Sequence, residues 1–224
     1  MKVGNCSEKT TCCPLCLSGA IKSYYNDRKR YYLQCDCCDL VFVPRAYWLS
    51  PDAERAEYDL HENNADDQGY RQFLSRLSVP LLERLDLSLV GECKGLDFGC
   101  GPGPTLSLML EEKGAAMALY DPFYFNNKTV LDRTYDFICA TEVAEHLSNP
   151  KKEFAQLFSM LKSGGWLGLM TKMVKNQQAF SRWHYINDPT HICFYSRATF
   201  EFIAAQVGAG VIFVANDVIL LQKN

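Results

Sequence analysis

From Gly91 onward the chain alternates short apolar runs with longer amphipathic segments. KGLDF, AMALYD, YDFICAT and WLGLMT read as strands, and residues 104–113 and 150–161 read as helices between them. That alternation predicts parallel strands joined by crossover helices. A further helix over residues 198–207 precedes VIFVAN and VILLQK, two strand-like runs close enough to pair as an antiparallel hairpin. Upstream, Phe73, Leu74, Leu77, Leu81, Leu82 and Leu85 recur at three- and four-residue spacing, which predicts helices over the charged stretch 46–90. The pattern divides the chain into residues 1–45, a helical lid or linker at 46–90, and an α/β domain at 91–224.

Composition adjusts this picture only in places. At 224 residues, 48% hydrophobic and 22% charged, the chain suits one globular domain with a small appendage. A net charge of -3 gives no global electrostatic reason for a nucleic-acid or membrane-surface partner. The start does not resemble a secretory signal, and no stretch reaches the roughly 18 apolar residues of a membrane span. The expectation is a cytoplasmic protein with no membrane partner, in a reducing setting where closely spaced thiols serve as metal ligands more often than as disulfides.

Seven of the eleven cysteines lie in the first 38 residues. Cys13-Pro14-Leu15-Cys16 and Cys35-Asp36-Cys37-Cys38 form two knuckles at the spacing of a four-thiolate zinc ribbon, and RYYLQ before the second fits the hairpin of such a unit. The expected ligands of a structural Zn2+ are Cys13, Cys16, Cys35 and Cys38. Cys6, Cys12 and Cys37 are surplus, with Cys12 or Cys37 as substitutes. Tyr24, Tyr25, Lys29, Arg30, Tyr31 and Tyr32 interleave aromatic and basic residues, a composition able to stack RNA bases. Such aromatics more often cover a small core or dock on a neighbouring domain.

The densest signal is Gly95-Leu96-Asp97-Phe98-Gly99-Cys100-Gly101-Pro102-Gly103, which ends a strand and opens a helix. Asp121 follows at the end of the next strand, placed to accept hydrogen bonds from ribose hydroxyls. The pattern Asp-x-Gly-x-Gly-x-Gly resembles the first motif of class I S-adenosylmethionine-dependent methyltransferases. Tyr135-Asp136-Phe137-Ile138 with Thr141-Glu142-Val143-Ala144-Glu145-His146-Leu147, and Leu161-Lys162-Ser163-Gly164-Gly165-Trp166-Leu167, resemble their later segments in order and spacing.

This resemblance implies a Rossmann-like α/β sheet in the order 3-2-1-4-5-7-6, flanked by helices. It implies S-adenosyl-L-methionine as cofactor, held by Tyr70, Asp97, Gly99, Cys100, Gly101, Pro102, Gly103, Asp121, Pro122, Thr141 and Glu142. Phe123 and Tyr124 are candidates for flanking the adenine, and Arg71 for reaching the methionine carboxylate. Only 13 residues separate Asp121 from Tyr135, so the third strand should be short or irregular. Asp121-Pro122-Phe123-Tyr124 lies after the wrong strand for the signature of nucleobase amino-methyltransferases.

Enzymes of this kind place the acceptor partly under the insert after the fifth strand, here residues 172–197. Its core, Trp183-His184-Tyr185-Ile186-Asn187-Asp188-Pro189-Thr190-His191, concentrates two of the four histidines with a Trp and a Tyr. Methyl transfer requires a nucleophile held near the methyl carbon and, where a proton leaves, a base. His184 and His191 are the candidates for that catalytic role. The leading expectation is O-, N- or C-methylation of a small molecule. The alternatives are an RNA methyltransferase whose ribbon presents the substrate, and a non-catalytic interaction protein.

Overall fold

The computed structural model describes residues 11–60 and 64–224. Its cysteine-rich start folds as a hairpin of β1 (Ile21–Asn26) and β2 (Tyr31–Cys35), followed by the short strand β3 (Val41–Phe42). The hairpin turn is set by Asp27, whose Oδ1 accepts from the amides of Lys29 at 2.9 Å and Arg30 at 2.7 Å. Two helices follow, α1 (Pro51–Tyr58) and α2 (Gln68–Leu82). Side-chain oxygens of Ser50 and Asp67 cap them, accepting the amides that a helix start leaves unpaired.

The larger sheet begins with β4 (Lys94–Phe98), α3 (Thr105–Glu111) and β5 (Ala116–Tyr120), and continues with β6 (Tyr135–Thr141), α4 (Pro150–Met160) and β7 (Leu161–Met170). The insert carries the short helix α5 (Gln177–Phe180) and strand β8 (Cys193–Phe194). Then come α6 (Arg197–Val207), β9 (Ala209–Phe213) and β10 (Val218–Lys223). The strands lie in the order β5-β4-β6-β7-β10-β9. The first four run parallel, and β10 pairs antiparallel with both β7 and β9. Successive strand residues point to opposite faces, so Ile138 and Leu167 pack on the side of α4 and α6, while Phe137 and Trp166 pack on that of α2 and α3.

The expected order 3-2-1-4-5-7-6 is corrected at its edge, because among the described residues the third strand is absent. Asp121 forms a single bridge with Phe125, and the chain then enters a 3₁₀ turn over Lys128–Asp132. Val130 is buried there, and its carbonyl accepts from the Tyr135 hydroxyl at 2.7 Å. A connection this short closes the edge with a turn and leaves no room for a strand. No helix among the described residues is long and apolar enough to cross a membrane.

One feature of the topology had no forecast in the sequence. The smaller sheet runs β1-β2-β3-β8, so its last strand comes from the insert more than 140 residues downstream. Val41 pairs with Phe194 and Phe42 with Cys193, and the Val43 amide donates to Ile192 at 2.9 Å. The amino-terminal module and the insert therefore share a backbone ladder.

Candidate functional site

In the amino-terminal module, the sulfurs of Cys13, Cys16, Cys35 and Cys38 all lie within 4.8 Å of one another. Cys13 Sγ stands 3.4 Å from Cys38 Sγ, and Cys16 Sγ stands 3.3 Å from Cys35 Sγ. Zn–S bonds of about 2.3 Å at tetrahedral angles need sulfurs roughly 3.8 Å apart, so four converging thiols fit a structural metal. Cys37 is exposed and donates to Ser18 Oγ at 3.1 Å, outside the cluster. Cys12 is disulfide-bonded, a pairing the sequence reading did not expect, and Cys6 lies outside the described residues.

Four of the six aromatic and basic residues of this module, Tyr24, Tyr25, Arg30 and Tyr32, turn inward on the insert. Phe180 sits among Tyr24, Tyr32 and Phe194, with ring centroids 5.2, 5.1 and 5.2 Å away. Arg30 is buried, and its guanidinium donates to four insert carbonyls: Ile186 at 2.6 Å, Asp188 at 2.9 Å, and Pro189 and His191 at 3.0 Å. The Tyr32 hydroxyl completes the cluster by donating to Asp27 at 2.7 Å. Lys29 and Tyr31 remain on the exposed side.

A cavity of about 690 Å³ opens over the carboxyl ends of β4, β5 and β6. Gly99, Cys100, Gly101 and Pro102 line one end with Tyr70, Asp121, Pro122, Phe123, Tyr124, Thr141 and Glu142. Gly99 takes φ +76°, and a Cβ there would meet Val143 Cγ2 at 2.4 Å, so only glycine lets the loop pass under the segment after β6. Asp121 is buried and ties the wall together. Its Oδ2 accepts from the Gly101 amide at 3.1 Å, and its Oδ1 from those of Phe123 at 2.8 Å and Tyr124 at 3.1 Å.

Two predicted cofactor contacts stand off this wall: Asp97 and Gly103 do not line the cavity. Asp97 lies beneath the loop, where its Oδ2 accepts from Ser107 Oγ at 2.8 Å and its Oδ1 is buried without a hydrogen-bond partner. Burial pushes its carboxyl up to about 6, against the Ser107 hydrogen bond. Arg71 points away to Glu112 of the α3 end, at 2.5 Å.

The other end of the cavity is built by the insert and the segment after β6. His184, Tyr185, Asp188 and His191 line it with His146 and Lys172, and Tyr58 of α1 covers it. The Tyr58 ring meets His146 edge-on at 5.2 Å. His184 is exposed at the rim, its Nε2 3.0 Å from Lys172 Nζ. His191 is buried, with Nδ1 2.8 Å from the Tyr185 carbonyl and Nε2 3.5 Å from Asp188 Oδ2. Burial lowers the His191 pKa, opposed by the negative charge of Glu145.

Glu142 occupies a left-handed conformation, φ +53°, an uncommon state for a residue with a side chain. Burial and then the charge of Glu145 push its carboxyl up to about 8. Glu145 itself is wholly buried and raised for the same reason; its Oε1 accepts from the Tyr185 hydroxyl and its Oε2 has no partner. Sequence reasoning passed over Glu145, His146 and Asp188 as site residues. The adjacent Glu-His pair after a strand was the available signal, but its meeting with His191 depends on the insert folding back.

Residues 61–212 match the model of a family described as a methyltransferase domain. No curated protein sequence matches the chain. Among solved structures, similarity extends to a provisionally named sarcosine dimethylglycine methyltransferase of Galdieria sulphuraria, with TM-score 0.51 and 16% identity over 72% of this chain and 76% of that one. It extends also to magnesium protoporphyrin IX methyltransferase of Synechocystis with bound S-adenosylmethionine, TM-score 0.50 and 14% identity over 80% and 95% of the two chains. An O-methyltransferase family protein of Burkholderia thailandensis gives TM-score 0.50 and 11% identity over 76% and 62%.

Proposed function

The chain belongs to this methyltransferase-domain family, and from that premise we propose that it transfers a methyl group from S-adenosylmethionine to a small-molecule acceptor, with a structural zinc in its amino-terminal ribbon. The observation that carries the reading is one cavity with two chemically different ends. Its volume suits two small reactants side by side.

S-adenosylmethionine, when bound, supplies an electrophilic methyl group. Asp121 spends three carboxylate acceptor sites on amides, and a fourth accepts a ribose hydroxyl. Phe123 and Tyr124 flank the base, and Tyr70 faces the methionine end from α2. The insert holds the acceptor against that end, which turns an encounter of two molecules into a fixed approach. His184, at the rim, takes up the proton that leaves. The Cys13, Cys16, Cys35 and Cys38 thiolates hold zinc, and Arg30 carries that rigidity to the acceptor wall.

The ribbon offers little to the RNA alternative, because Arg30 and Tyr32 are buried against the insert. The deciding measurement is calorimetric titration with S-adenosylmethionine and S-adenosylhomocysteine on the wild type and on Asp121→Ala. Micromolar binding weakened at least tenfold by the substitution supports the reading; absence of binding to either compound overturns it.

A further inference from the structure

We propose that Glu145, His146 and His191 form a second metal site, holding a divalent cation against the acceptor end of the cavity. One donor atom from each lies within 4.8 Å of the others. Metal bonds of about 2.0–2.2 Å place neighbouring donors roughly 3–3.5 Å apart, a closure that small side-chain rotations supply. Two imidazoles and a carboxylate suit first-row divalent ions and leave positions open for an exogenous ligand.

Three independent features point to a cation. Glu145 is 0% exposed and its Oε2 has no hydrogen-bond partner, although a carboxylate oxygen in such a place ordinarily finds one. Both imidazoles are held as ligating histidines usually are. His146 Nδ1 faces the Thr190 carbonyl at 3.2 Å and His191 Nδ1 the Tyr185 carbonyl at 2.8 Å. A carbonyl only accepts, so each Nδ1 carries the proton; in the neutral ring Nε2 then holds the lone pair a metal takes, on His191 beside Asp188 Oδ2 at 3.5 Å. The surroundings also carry negative charge, from the Asp188 carboxylate at the same end.

His146 and His191 reach the cavity and Glu145 lies behind them, so the open coordination positions face the acceptor. Resting on the methyltransferase reading, this names the acceptor class as a hydroxyl compound. Its oxygen binds the ion and its proton passes to His184. The oxygen lone pair then forms the new bond to the methyl carbon as the carbon–sulfur bond breaks onto sulfur.

The test is titration of the zinc-loaded protein with Mn2+, which competes poorly for thiolates, followed by the loss of the free-ion paramagnetic resonance signal. One saturable Mn2+ per chain, with nitrogen hyperfine coupling and at least tenfold weaker binding in Glu145→Gln and in His146→Ala, supports the site. S-adenosylhomocysteine titration of both variants reports that they remain folded and separates the two ideas. Intact S-adenosylhomocysteine binding with no saturable Mn2+ overturns the metal site and leaves the methyltransferase reading in place. So does Mn2+ binding that both substitutions leave unchanged. Mn2+ binding without S-adenosylhomocysteine binding keeps the site and overturns the hydroxyl-acceptor role.

Discussion

At the scale of single residues, backbone geometry and burial decide most. Gly99 lies at φ +76° with Val143 Cγ2 2.4 Å from the position of a Cβ, so Gly99→Ala combines left-handed strain with a clash. The expected result is a loss of roughly 2–4 kcal/mol in urea-denaturation stability and at least tenfold weaker S-adenosylhomocysteine binding. Asp97 offers a pH test. Its folded pKa, about 6, lies above the ordinary 3.8, so the folded state holds the proton more tightly. The stabilisation is complete below the ordinary value and is lost as pH rises through about 6. Asp97→Asn should therefore gain on the wild type between pH 4 and 6, by an amount on the order of 3 kcal/mol. A stability difference that stays flat over that range would show that Asp97 is not a buried, proton-holding carboxyl.

At the scale of elements, the insert owes its position to the ribbon hairpin. Arg30 satisfies four carbonyls of residues 186–191; without the guanidinium, Ile186 keeps only a long contact from the Tyr32 hydroxyl and Asp188 one from the His191 amide, both at 3.4 Å. Arg30→Met keeps much of the side-chain bulk while stranding them. A destabilisation of roughly 3–5 kcal/mol follows, together with lower turnover and a rise in acceptor KM. Affinity for S-adenosylhomocysteine should change less than threefold, since the glycine loop and Asp121 lie on other elements. Equal loss of both affinities would mean that Arg30 acts on the fold as a whole.

At the scale of the molecule, the four-cysteine cluster and the insert are joined by the β3–β8 ladder and the Phe180 aromatic cluster. Binding zinc contributes about 10–16 kcal/mol to folding in small thiolate modules. Stripping the metal with a strong chelator should raise amide exchange both in residues 11–43 and in residues 177–195, far along the chain. Exchange confined to the first segment would show that the insert holds its own shape.

Much of the Rossmann-like sheet was legible in the sequence, because strands buried between helices leave near-continuous apolar runs and each helix carries its own periodicity. KGLDF and YDFICAT coincide with β4 and β6 for that reason. The glycine loop, Asp121 and the four clustered cysteines were legible too, since each depends on local spacing. The sequence by itself determined these: local chain stiffness, burial period and ligand spacing. Tertiary structure alone decided the missing third strand, the placement of Asp97 beneath the loop, the pairing of β3 with β8, the Arg30 clasp and the meeting of Glu145 and His146 with His191. All of these join or separate groups by how distant segments pack, and contacts across long loops leave no periodic trace in either partner.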